Sequence, residues 1–93
     1  GFMKQDKIKT KLAKVFDLPQ DVVLNLPVIY LTGSLNLVLE NHEGIHKYTT
    51  EVIKIKVKRG YVIIHGLDLK LDYLSETKIT VIGQIKQLNF DCD

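Results

Sequence analysis

From Val28 onward the apolar residues recur at every second position, and that period decides the fold class. Leu35, Leu37 and Leu39 fall on one side of a strand, with Asn36, Val38 and Glu40 on the other. Ile53, Ile55 and Val57 alternate with Lys54, Lys56 and Lys58, and Leu67, Leu69, Leu71 and Tyr73 alternate with Asp68, Lys70 and Asp72. Side chains patterned this way belong to strands with one buried face. The intervening connections are too short for a parallel crossover, which takes a dozen or more residues, so the sheet is antiparallel.

The turn chemistry divides the stretch into units. Val28 to Thr32 and Leu35 to Glu40 flank Gly33-Ser34, which has the form of a two-residue type II′ hairpin. Asn41-His42-Glu43-Gly44 reads as the next hairpin turn, with Gly44 at positive φ, before a strand over Ile45 to Thr49. A further hairpin begins at Glu51 and turns at Lys58-Arg59-Gly60, a three-residue loop with a glycine bulge, and Tyr61 to His65 returns. Val62-Ile63-Ile64 is apolar on both faces, so that strand is expected either to be covered on both faces or to sit at the centre of a sheet. Leu67 to Tyr73 is a separate strand, Ser75-Glu76-Thr77 turns, and Lys78 to Phe90 is one long strand or two, with Gly83 marking a bulge. Seven or eight short strands at spacings near ten residues predict an all-β fold, either a small antiparallel β-sandwich or an open barrel, and the sandwich is preferred. Stacked β-helix turns would need a fixed repeat, and the turns differ from unit to unit.

The β body, residues 28–90, is preceded by a basic helix over 1–17 and a proline-bounded linker over 18–27, and is followed by a tail over 91–93. Asp6 is placed to cap the helix, and Ile8, Leu12, Val15 and Phe16 form one apolar stripe. Lys4, Lys7, Lys9, Lys11 and Lys14 against Asp6 leave +4 on Met3–Phe16; the formal total of +2 puts the remainder at −2. The stripe predicts docking onto the β body with the lysines in solvent, and the other use of such a helix is contact with anionic lipid, nucleic acid or an acidic protein. No stretch reaches the roughly 20 apolar residues of a membrane span, and the N-terminus lacks the pattern of a secretory signal. A cytoplasmic protein is expected.

Residues that could carry chemistry are few. His42, His46 and His65 do not have the spacing of a metal set, and Cys92, the one cysteine, has no disulfide partner. His42 is expected to organise its own turn through a side-chain to backbone hydrogen bond with Asn41. No nucleophile–base order, phosphate-binding glycine loop or carboxylate pair is visible, so the reading is of a protein that is not an enzyme and takes no cofactor or metal. Lys54, Lys56, Lys58 and Arg59 form a basic stripe on one hairpin. They are candidates for anion binding, and equally they protect an edge strand from pairing with another chain. Nucleic acid is not the favoured partner, because Tyr61 is the only nearby aromatic platform. Edges rich in β-branched residues leave a homo-oligomer by edge pairing open.

Leu18-Pro19, Asp21-Val22-Val23-Leu24-Asn25-Leu26-Pro27, Gly33, Glu40-Asn41-His42 with Gly44, Tyr48-Thr49 and the ending Ile82-Gly83-Gln84-Ile85-Lys86-Gln87-Leu88-Asn89-Phe90 together resemble the YabP/YqfC family of sporulation proteins, closest to its YqfC-like branch. The likeness runs from about Lys11 to Phe90, and none of its elements is a catalytic signature. It implies a sandwich domain working in the mother cell of an endospore-forming bacterium. It also implies a membrane-anchored sporulation protein as partner and peripheral contact at the forespore membrane. Lys7, Lys11, Lys14, Asp21, Asn25, Asn41 and His42 are the candidate partner contacts on this reading.

Overall fold

A computed structural model describes residues 24–92. The expected helix with Lys7, Lys11 and Lys14, and the linker up to Val23 with Asp21, lie outside the described residues. Within them the chain forms six strands: β1 (Val28–Thr32), β2 (Asn36–Glu40), β3 (Ile45–Tyr48), β4 (Val52–Val57), β5 (Gly60–Leu74) and β6 (Lys78–Cys92). All pairings are antiparallel, in the order β1-β2-β6-β5-β4-β3. The all-β, antiparallel expectation holds, and β5 with its run Val62-Ile63-Ile64 is central.

The sandwich of seven or eight short strands gives way to one sheet of six. The units over Tyr61–His65 and Leu67–Tyr73 are a single strand of 15 residues, paired along its length with an equally long β6. What looks like a strand boundary is a set of bulges. Between Leu67 and Lys70, Asp68 and Leu69 together stand opposite Gly83, and Asp68 adopts φ +54°. A two-against-one bulge bends its strand and increases the local twist. Gly83 is required there: it sits at φ +131°, and a Cβ would lie 2.5 Å from the Asp68 carbonyl oxygen. The bulge also breaks the alternation, so Leu69 is buried while Leu67, expected on the same face, is exposed, and a second register shift between Leu71 and Tyr73 leaves Tyr73 exposed as well.

The bend lets one sheet enclose its own core. On one side of it β2, with β1 beyond it, pairs with Lys78–Ile82 of β6; on the other, β4, with β3 beyond it, pairs with Gly60–His65 of β5. Leu37, Leu39, Ile79 and Val81 from the first half and Ile53, Ile55, Val57, Val62 and Ile64 from the second join in one buried cluster, with Leu69 at the bend. Each such side chain contributes roughly 1.5–3 kcal/mol by leaving water. The turns brace the bend from both edges. Gly66 and Leu69 N–H groups donate to the carbonyls of Glu51 and Thr50, and Gly83 and Ile85 N–H groups donate to Leu35 and Ser34.

Two turns differ from the reading of the sequence. Thr32 pairs with Asn36, so Gly33-Ser34-Leu35 is a three-residue loop, and Leu35, expected with Leu37 and Leu39 in the core, is 63% exposed. Arg59, not Gly60, takes the left-handed position of the β4–β5 turn, at φ +74°. Gly60 pairs with Val57 and is kept small by the Asp91 backbone, 2.2 Å from where its Cβ would stand.

Replacing Gly83 with Ala forces both an unfavourable φ and a backbone clash, so unfolding in urea should show a loss of about 2 kcal/mol or more. Gly33→Ala, with nothing within 4 Å of the new methyl, should lose less. Equal losses would mean that the bend does not depend on this contact.

Candidate functional site

The polar residues singled out in the sequence gather at two places. The first is Asn41-His42-Glu43-Gly44. β2 and β3 are not neighbours, so this is not the hairpin turn expected of it; it is an arch that carries the chain from one half of the sheet to the other. The Asn41 and His42 N–H groups donate to the Thr77 carbonyl, and Glu43 and Lys56 exchange backbone bonds across the arch through the Lys56 and Gly44 carbonyls. Asn41 turns the corner at φ +66°, and Gly44 leaves it at φ +120°, the positive φ expected of it.

His42 is 8% exposed and holds this corner with both ring nitrogens. Nδ1 accepts from the Gly44 N–H at 2.9 Å, so Nε2 carries the proton and donates to the Ser75 carbonyl at 2.7 Å. His42 does bond locally, but to Gly44 and not to Asn41 as expected, because the arch turns the Gly44 N–H back toward the ring, and the ring also ties the arch to the β5–β6 turn. Asn41 reaches the other way: its Nδ2 donates to the Leu26 carbonyl at 2.7 Å, pinning the chain as it enters β1. Lys58 Nζ donates to the Leu24 carbonyl at 2.8 Å from the β4–β5 turn. Asn25, at φ +57° and exposed, lies between these two anchored carbonyls. The structure therefore brings Asn25, Asn41, His42 and Lys58 into one region that organises the entry to the sheet.

The second place is the outer face of β3, β4 and β5. Lys54 and Lys56 are two residues apart on one face of β4, and Tyr61 stands opposite Lys56 on β5. Their ammonium groups lie 4.4 and 5.6 Å from the Tyr61 ring centroid. At exposed sites such contacts contribute roughly 0.5–1 kcal/mol each. His46 tilts against the same ring at 5.2 Å, and Lys47 stands opposite Lys54. Lys56 is already engaged, 3.5 Å from Glu43 Oε1 and bonded to the Val57 carbonyl. Arg59 projects at the tip, apart from the Tyr61 cluster. Lys47 escaped the sequence reading, and His46 was not placed beside the lysines by it, because a register shift between Ile45 and Lys47 sets which of them faces Lys54, and alternation alone does not show it.

Other polar groups are sparser. Glu51, His65 and Lys86 line a shallow depression with Val52, Gly66 and Leu67. Among the described residues no three of His, Cys, Asp and Glu gather as a metal would need, and no helix is long and apolar enough to cross a membrane.

Comparison with known proteins places this architecture. The profile of the YabP family matches residues 25–93. The chain is 25% identical over 87 residues to the uncharacterized protein YqfC of Bacillus subtilis (strain 168), covering 94% of both proteins. It is 42% identical over 45 residues to the large ribosomal subunit protein uL24c of Phaeodactylum tricornutum, covering 47% of this chain and 55% of that protein. No solved structure matches the chain.

His42→Phe keeps the ring's bulk and strands the Gly44 N–H and the Ser75 carbonyl. Denaturant unfolding should report a loss of about 1–3 kcal/mol, and Lys54→Ala a loss within about 1 kcal/mol. A His42→Phe protein as stable as the parent would show that the corner is held without the imidazole.

Proposed function

The chain belongs to the YabP family, and from that premise we propose that it is a non-enzymatic interaction or structural module of endospore formation, acting in the mother cell beside a membrane-anchored sporulation protein. The observation that carries this reading is the match over residues 25–93, which takes in the whole described sheet. The site geometry supports it. The polar groups with the most defined environments, His42, Asn41 and Lys58, use their hydrogen bonds to hold the arch and the entry to β1. What they stabilise is a set of surfaces, with Asn25 and the preceding linker residues as contacts for the partner. Binding, without turnover of a substrate, is the activity such surfaces serve.

A second reading rests on the outer face of β4. Lys47, Lys54 and Lys56 around Tyr61 present positive charge beside an aromatic ring, which suits a phosphate-bearing partner. The likeness of 45 residues to a ribosomal protein favours it. Two features weigh against it: Lys56 is paired with Glu43, and Lys58 is turned back onto Leu24. Both reduce the charge offered to a backbone of phosphates.

The two readings part on salt. An apolar protein interface persists as ionic strength rises, whereas phosphate binding falls steeply. Co-purification of the tagged chain from sporulating mother cells at low and high salt should retain a membrane sporulation protein in both. Recovery of nucleic acid or anionic lipid alone, lost at high salt and abolished by Lys54→Glu, would replace the first reading with the second.

A further inference from the structure

The sheet has two edges, and they are built differently. The β3 edge is only four residues long, is interrupted by a register shift at His46 and carries Lys47. Short length, a bulge and a lysine are the devices by which edge strands avoid pairing with other chains. The β1 edge, five residues long, has neither the bulge nor the lysine. Val28-Ile29-Tyr30-Leu31-Thr32 is uncharged, holds no proline or glycine, and pairs with β2 in unbroken register. Tyr30 and Leu31 are 55% and 51% exposed on its two faces.

We propose that β1 is a homodimer edge: two copies of this chain pair antiparallel through β1, about a two-fold axis at Tyr30, into one continuous sheet. The occupant follows from what the register lays side by side. With Tyr30 opposite its own counterpart, Ile29 meets Leu31 of the second copy, and Val28 meets Thr32. On the outer face Tyr73, Thr80, Val38 and Tyr30 lie in one cross-strand row. The two-fold axis continues that row into its mirror, eight residues without a charge. On the inner face the row Ile79, Leu39, Ile29 runs into Leu31, Leu37 and Val81 of the second copy, so the exposed Leu31 is covered by residues of the kind that cover it on its own side. The charges also fit. The row of Lys78, Glu40 and Val28 continues into Thr32, Asn36 and Ile82 of the second copy, so Glu40 faces neither its counterpart nor any other acid. A strand bearing charge at any of these positions would lose that match, which is why a second copy suits the edge better than an acidic or basic peptide. The inference is independent of the sporulation role.

Sedimentation equilibrium of the full chain tests it. The parent should have twice the 10.6 kDa mass of one chain. Tyr30→Lys, which sets like charges against each other at the axis, should sediment at the single-chain mass with an unchanged circular dichroism spectrum. Lys47→Glu, on the other edge, should remain dimeric. Directly opposed residues in antiparallel strands have Cα atoms about 4.5–5.5 Å apart, within disulfide reach. Tyr30→Cys in a Cys92→Ser background should therefore oxidise to a covalent dimer, while Tyr73→Cys in that background should not. This decides the matter even if Tyr30→Lys fails to fold. A parent of single-chain mass at every concentration, or equal crosslinking at both positions, would overturn the proposal.

Discussion

Everything in this structure depends on the contact of Asp68 and Leu69 with Gly83. Two strands of 15 residues cannot lie flat and still bury one face of a sheet when the described residues supply no second layer. The bulge resolves this by bending β5 and β6 together. A glycine is needed opposite because the bent backbone comes so close that a methyl group has no place to go. Once the hairpin is bent, β2 and β4 stand on opposite sides of one apolar cluster, and the sheet is its own second layer.

A bent sheet is held only if its two halves are tied, and the polar residues do this. The arch Asn41–Gly44 crosses from the β2 side to the β4 side, and His42 fixes it to the β5–β6 turn through a tautomer dictated by the Gly44 N–H. Carbonyls of the β1–β2 and β3–β4 turns accept hydrogen bonds from the N–H groups of the bend from either edge. The same bonds explain why family-like residues gather at Asn41-His42 and Gly44 with no reactive centre among them.

Much of this was legible in the sequence. The alternation at Leu37 and Leu39 and at Ile53, Ile55 and Val57 marks the core directly, because period two is a local property of the chain. Gly83 as a bulge and Gly44 at positive φ were also readable, since each follows from one residue's chemistry. The count of strands was not. Leu67, Leu69, Leu71 and Tyr73 alternate as a core strand would, yet the extra residue at Asp68 turns Leu67 outward and the one at Asp72 turns Tyr73 outward, and a bulge is specified by the partner strand, not by its own sequence. The destination of the arch was hidden for a similar reason. Asn-His-Glu-Gly suits a tight hairpin as well as a crossing, and only the pairing of β2 with β6 distinguishes them. The basic face was visible as residue types, but the Glu43 and Leu24 partners that engage Lys56 and Lys58 come from distant turns.

The claim that one bent sheet forms a single cooperative unit is tested most directly by native-state hydrogen exchange. The amides of Leu37 and Leu39 on β2, Ile53 and Ile55 on β4, and Gly83 and Ile85 at the bend should open with one common free energy equal to that of global unfolding. Exchange of the β1–β2 half at a distinctly lower free energy than the β3–β4 half would contradict the account, because the two halves would then fold and unfold without each other.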